Sequence, residues 1–330
     1  MLTGTAHSYS NLSLSDEMFF LFSDLIYRAA GIKLNVQKKS LLISRLMKRL
    51  KKHNMDSFTE YYKKVKADEE ELVEMLNCIS TNTTKFFREK HHFEYLKNKV
   101  MPELLKNKAD ERIIRIWSAG CSTGEEPYSI TIAVCEALKE FGVKSLELKD
   151  GNQKSGFKTT ETFRTHNSEL LTHAVGWDIK ILATDISTKV LRTADAGIYE
   201  YEQLPEEMPK EIISRYFLKG NKENEGLIKV KDFIRDKIRF RRLNLKDGEY
   251  PLKRSFDVIF CRNVMIYFDD GMKRHVISKF HQHLSDRGHL FLGHSETVFD
   301  REQLVPTYIT VYKKSMNGNC GHKRESEAIM

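Results

Sequence analysis

Residues 113–130, IIRIWSAGCSTGEEPYSI, set an apolar β-branched run, a turn of small residues and a helix start in immediate succession. That succession is shared by three active sites: a phosphate loop, a hydrolase nucleophile elbow and the first loop of an adenosyl-cofactor site. A phosphate loop needs G-x-x-x-x-G-K-S/T, because its lysine must reach the terminal phosphates. Gly120 and Gly124 stand too close for that, and Glu125-Glu126 occupy the lysine's place, where they would repel a polyphosphate. The elbow fits better: Gly120-Cys121-Ser122-Thr123-Gly124 satisfies G-x-S-x-G, and Asp257 and His294 follow in the required chain order. Against it, the two glutamates would oppose the negative charge that an oxyanion hole stabilises.

For an adenosyl cofactor the same acids are an asset. S-adenosyl-L-methionine carries a sulfonium and an α-ammonium, which acidic residues beside the loop would favour, and a turn of small residues lets the backbone approach a ligand. A second carboxylate is expected at the end of the next strand, to accept the ribose hydroxyls. Asp185 closes DIKILATD and is placed for that, although taken alone it reads equally as the N-cap of the following helix. Asn244-Leu245 and Cys261-Arg262-Asn263 end two further strands, and ligands of open α/β sheets bind at such carboxyl ends.

The elements that must position these residues follow from the hydrophobic pattern. Helical spacing over 15–29, 36–53, 57–67 and 70–80 makes residues 1–80 an all-helical N-terminal unit. Its second helix turns Leu41, Leu42, Leu46 and Leu50 inward and Arg45, Lys48, Arg49, Lys51 and Lys52 outward. Residues 81–112 read as a linker and connecting helix. From 113 to 317 strands at 113–117, 178–185, 237–245, 256–263, 288–295 and 308–314 alternate with helices, as in a parallel sheet covered on both faces. A polar stretch at 143–176 is an insertion that leaves the core untouched, a small antiparallel β-subdomain is expected at about 199–235, and 318–330 reads as a disordered tail.

Composition narrows the setting. The 330 residues are 40% hydrophobic and 30% charged, with a formal charge of +8 that suits an acidic partner without naming it. No apolar run is long enough to span a bilayer, and the N-terminus lacks a secretion signal, so a cytoplasmic protein is expected. Five dispersed cysteines argue against disulfides. His91-His92 and Cys320-Gly321-His322 have no metal-ligand partners at the usual spacing, so no metal is expected.

Four stretches in this order, STNTTKFFRE, WSAGCSTGEEPYS, FCRNVMIYF and GHSE after a basic helical domain, resemble the CheR-type chemotaxis receptor methyltransferases. The likeness covers about residues 15–313 apart from the insertion. It implies an α/β fold, a Rossmann-like S-adenosylmethionine-dependent methyltransferase sheet with an all-helical N-terminal domain and a small antiparallel β-subdomain. It further implies methyl transfer to glutamate side chains on the cytoplasmic helices of methyl-accepting chemotaxis receptors, with S-adenosyl-L-homocysteine as product. Matched motif to motif, Asn82, Thr84 and Arg88 would cover the cofactor, Glu126 would meet its methionine part, and Asp185 its ribose. Asn244, Leu245, Cys261 and Arg262 would line the adenine and methyl end, with Arg88 and Tyr267 nearest the transferred methyl. Arg45, Lys48 and Arg49 would steer the acidic receptor helices. The turn Gly220-Asn221-Lys222 lacks the Gly-x-Gly associated with docking of a receptor C-terminal peptide, which argues against that tether.

Three rivals remain at this point. Amino-group methylases of nucleic acids usually carry Asp/Asn-Pro-Pro-Tyr/Phe where this chain has Asn263-Val264-Met265, and no basic stripe interleaved with aromatics is present. A non-catalytic receptor-binding adaptor would not need Arg88 and Tyr267. A serine hydrolase would use Ser122.

Overall fold

The computed structural model describes residues 12–80, 82–141 and 176–315, together with the backbone of 145–147, 163–164 and 172–174. Four helices open the chain: α1 (Asp16–Ala30), α2 (Lys39–Lys52), α3 (Phe58–Ala67) and α4 (Glu69–Ile79). Ser15 caps α1 by accepting from the Met18 amide at 3.2 Å, and Gly31 ends it in the left-handed conformation. Phe19, Phe22, Leu42, Leu46, Leu50, Tyr61 and Met75 close a core of their own between these helices. The connecting segment then forms α5 (Lys90–Tyr95), which runs through a π turn (Leu96–Val100) into α6 (Met101–Asn107).

The α/β part contains β1 (Ile113–Ala119), α7 (Glu125–Glu140), β2 (Ser145–Glu147), β3 (Phe163–Arg164), β4 (Thr172–Ala174), β5 (Asp178–Asp185) and α8 (Thr188–Ala196). It continues with β6 (Ile198–Glu200), α9 (Lys210–Tyr216), β7 (Phe217–Gly220), β8 (Leu227–Val230), α10 (Asp232–Arg235) and β9 (Ile238–Arg242). β10 (Phe256–Cys261), α11 (Asp270–His283), β11 (Leu284–Leu292), β12 (Leu304–Tyr308) and β13 (Val311–Lys314) complete it. Seven strands form one sheet in the order β12-β13-β11-β10-β1-β5-β9. β9, β5, β1, β10 and β11 run parallel, and β13 is antiparallel to both its neighbours. From β1 the chain winds outward through β5 and β9, then returns to the other side of β1 as β10. The β1–β10 boundary is therefore the switch point at which α/β sheets open a crevice.

The central strands are buried on both faces, which is why they read as continuous apolar runs: all six residues of β10 are buried. Trp117 is fully buried and donates its indole N–H to Thr184 Oγ1 at 2.9 Å, and Phe260 stacks on Phe291 at 4.3 Å between centroids. The stretch expected as one late strand at 308–314 is instead a hairpin of β12 and β13. Pro306 sits in β12, the outermost strand, where a missing amide is tolerated. The small antiparallel sheet is β3-β7-β8-β6, so the inserted stretch contributes one edge strand to it while the large sheet passes directly from β1 to β5. The inserted stretch also pairs β2 with β4 in a two-stranded antiparallel sheet; its other residues between 143 and 175, and the 318–330 tail, lie outside the described residues. Among the described residues, no helix is long and apolar enough to cross a membrane.

Candidate active site

The turn after β1 is tied to the end of β5. The Gly120 and Cys121 amides both donate to the Thr184 carbonyl, at 2.7 and 2.9 Å. Gly120 has φ +81°, and a Cβ there would stand 2.3 Å from Val264 Cγ2, so only glycine fits between the β1 and β10 turns. Asp185 is buried, and its two carboxylate oxygens accept the Ser122 and Ser187 amides, each at 2.9 Å. The N-cap of α8 is Ser187, not Asp185. Asp185 thus bridges two turns at the strand end, and each of its oxygens keeps lone-pair capacity toward the cleft that it lines. Burial raises its pKa, so a ligand offering hydroxyl donors there finds an undersatisfied acceptor.

A chain of charges runs behind the turn. Ser118 Oγ donates to Glu126 Oε1 at 2.7 Å, and Arg262 Nη1 stands 3.5 Å from Glu126 Oε2. Burial pushes Glu126 up despite Arg262, the state of a carboxylate that lacks sufficient positive charge. Arg262 also donates to the Arg88 carbonyl, lies 3.3 Å from Glu89 Oε2, and faces the Phe93 ring at 5.3 Å. The turn carrying Arg262 is held by Glu296, whose carboxylate accepts the Gly293, Asn263 and Val264 amides at 2.7, 2.9 and 3.0 Å. Glu296 lies in the GHSE stretch, yet nothing local to that stretch reveals that its partners sit at the end of β10.

One cleft gathers Asn82, Thr84, Arg88, Gly120, Glu126, Asp185, Asn244, Leu245, Arg262 and Tyr267 along its walls. Arg45 joins them from α2, and so does Lys38, whose ammonium stands 5.3 Å above the Tyr267 ring. Leu41, expected inward, is exposed on the wall of the cleft. Cys261 does not reach it: its side chain is fully buried in the sheet, and burial pushes its thiol well up. Asn244 spends its amide nitrogen on the Ala29 carbonyl at 2.7 Å, a contact between the α/β sheet and α1.

Of the three cations expected on the substrate surface, Lys48 is exposed outside the cleft, and Arg49 is not on a surface at all. Arg49 is 5% exposed, with Nε 2.9 Å from Glu71 Oε1 and Nη2 2.5 Å from Oε2. Tyr61 donates to the same carboxylate at 2.7 Å, and His53 Nε2 lies 2.7 Å from it. Position 49 falls on the face that carries Leu42, Leu46 and Leu50, so its charge is buried with a partner instead of pointing outward.

The hydrolase triad does not assemble. Ser122 Oγ donates to the Asn82 carbonyl at 3.0 Å, and Asp257 lies at the opposite, amino-terminal end of its strand, 2.8 Å from Lys108. The helical unit closes the carboxyl edge of the sheet through the Lys33 amide to the Tyr267 carbonyl (2.9 Å), Tyr27 to Asp269 (2.9 Å) and Asn77 to Thr188 (3.3 Å).

A seven-stranded sheet with its last strand, β13, reversed, a glycine turn after β1 and a carboxylate ending β5 define an S-adenosylmethionine-dependent methyltransferase. The match to known families gives the same class: residues 82–149 and 164–312 match the CheR methyltransferase SAM-binding domain, and residues 17–80 its all-alpha domain. The chain belongs to the CheR methyltransferase family. It is 34% identical to the chemotaxis protein methyltransferase of Borreliella burgdorferi over 92% of this chain and 96% of that one. It is likewise 34% identical to the chemotaxis protein methyltransferase of Escherichia coli over 86% of each. Chemotaxis protein methyltransferase 2 of Pseudomonas aeruginosa is 35% identical over 88% of this chain and 89% of its own.

Proposed function

We propose that this protein methylates glutamate side chains on the acidic cytoplasmic helices of chemoreceptors, forming γ-carboxyl methyl esters, and that it works in the cytoplasm. The observation that carries the reading is the polarity of the cleft. The α/β part brings the carboxylates of Glu126 and Asp185 to its lining, and the helical unit and connecting segment bring the cations of Lys38, Arg45 and Arg88. The acidic side suits a cofactor bearing a sulfonium and an ammonium, and Gly120 on the cleft wall has no side chain to stand between a ligand and the backbone. The cationic side suits an anionic acceptor.

The bound cofactor supplies an electrophilic methyl group on sulfur. In this reading Asp185 receives the ribose hydroxyls, Glu126 the ammonium, and Asn82, Thr84, Asn244, Leu245 and Arg262 shape the remaining contacts. Arg88 and Tyr267 stand at the methyl end. An acceptor glutamate, with a reference pKa near 4.3, is already ionised at neutral pH and needs no general base. The protein's task is then to align two reactants and exclude water, which is worth roughly 7–11 kcal/mol. Arg88, held at its own loop by the Thr83 carbonyl at 3.0 Å, would pair with the incoming carboxylate. The relatives' names, chemotaxis protein methyltransferase, support the assignment.

Two measurements test this. Calorimetric titration with S-adenosyl-L-homocysteine should give micromolar binding that weakens in Asp185→Ala; unchanged affinity in that variant would remove Asp185 from the site. Transfer of labelled methyl to a receptor cytoplasmic fragment should yield alkali-labile product released as methanol, and should vanish in Arg88→Ala with the fold intact. Alkali-stable label would mean that the acceptor is not a carboxylate.

A further inference from the structure

Glu89, His91 and His92 lie together at the start of α5, and none of them lines the cleft. Each offers one potential ligating atom, and the three atoms lie within 4.8 Å of one another. His92 is fully buried, and its Nε2 stands 3.1 Å from the Ile309 carbonyl and 3.0 Å from Thr310 Oγ1. A carbonyl only accepts, so Nε2 carries the ring proton and Nδ1 is a bare lone pair. That lone pair faces Glu89 Oε2 at 3.4 Å. Two acceptors confront each other; apart from the Arg262 ion pair on Glu89 Oε2 neither receives a hydrogen bond, and His91 Nε2 is buried beside them without one.

We propose that Glu89, His91 and His92 bind a zinc-like divalent transition-metal ion, with solvent completing the coordination. Two imidazoles and one carboxylate are a donor set that zinc takes readily. A tetrahedral site with bonds of about 2.0–2.1 Å sets its ligand atoms about 3.4 Å apart, the present Glu89–His92 separation. His91 has only to swing inward. The donation from His92 Nε2 to Ile309 is the outer contact that fixes the tautomer and orientation of a ligating histidine. Arg262 Nη2, 3.3 Å from the same Glu89 oxygen, opposes the ion and weakens its binding. The adjacent histidines look unpartnered in sequence because the third donor precedes them by two residues and enters from a left-handed backbone, φ 57°. An ion here would clasp the start of α5 to the turn before β13 and, through Glu89, to the arginine behind the cleft.

Metal-free full-length protein is to be titrated with Zn²⁺ by calorimetry and with Co²⁺ followed by visible absorption. One equivalent should bind with tetrahedral Co²⁺ bands, and His91→Ala should weaken it on the order of 100-fold while S-adenosyl-L-homocysteine binding and the melting temperature stay unchanged. His92→Gln should lose it as well. Absence of binding, binding equal in wild type and His91→Ala, or a thiolate charge-transfer band from the free cysteines would each overturn the site.

Discussion

Replacing Arg49 with leucine separates a structural from a recognition role for the basic face of α2. In the folded chain Glu71 receives two hydrogen bonds from Arg49, one from Tyr61 and a contact from His53, all within 2.5–2.9 Å. Burial alone would raise its pKa, but these partners outweigh burial and take it from an ordinary 4.5 to about 2. A shift of that size corresponds to about 3 kcal/mol of stabilisation, at roughly 1.4 kcal/mol per unit. Because the folded pKa is the depressed one, this contribution is complete above pH 4.5 and is lost as pH falls toward 2. Arg49→Leu leaves a buried carboxylate with only Tyr61 and His53, and loss of one buried partner costs roughly 3–5 kcal/mol. Urea unfolding followed by circular dichroism should therefore show a deficit of that size at pH 7. The deficit should narrow near pH 3, where Glu71 in the variant takes up a proton and the wild type is still largely ionised. The double variant Arg49→Leu/Glu71→Leu should recover most of the loss, since a well-packed apolar pair can replace a buried ion pair at little cost. Stability within about 1 kcal/mol of wild type, the range of an exposed pair, together with a raised KM for receptor, would refute the reasoning and return Arg49 to the recognition surface.

Gly120→Ala should lower cofactor affinity at least tenfold and reduce the melting temperature, because the new methyl meets Val264 at 2.3 Å beside the turn that carries Arg262; titration with S-adenosyl-L-homocysteine decides it. Glu296→Gln replaces one of two acceptor oxygens with a donor aimed at backbone amides, at a cost of about 1–3 kcal/mol. Its loosened 262–264 turn should raise Kd for the cofactor, and wild-type affinity would show that the clamp is dispensable. Turnover on receptor should fall with salt over a screening length of ~10 Å at 0.1 M, and Lys48→Glu should raise KM for receptor while cofactor binding stays the same. Turnover indifferent to salt would leave the basic face of α2 a solvated surface.

The features legible in the sequence are those that repeat along it. The buried parallel strands appear as β-branched runs, α1 as a helical period closed by Gly31, and the cofactor turn as small residues between a strand and a helix. Asn82 and Thr84 carry no such signal; they reach the cleft because the connecting segment lies across it, and only the likeness of STNTTKFFRE to a family pointed there. The failures share one cause. A helical wheel puts Arg49 outward because it scores charge as exposed, whereas its burial depends on Glu71, 22 positions away on another helix. Glu296 clamps amides 33 positions upstream. β12 carries Pro306, which speaks against a strand until its edge position is known. In each case the deciding contact is made across the chain, and a side chain's environment then overrides its own polarity. Glu71, Glu89 and Glu296 are each satisfied or left wanting by groups on other elements, so buried carboxylates are the residues whose roles the sequence of this chain conceals most completely.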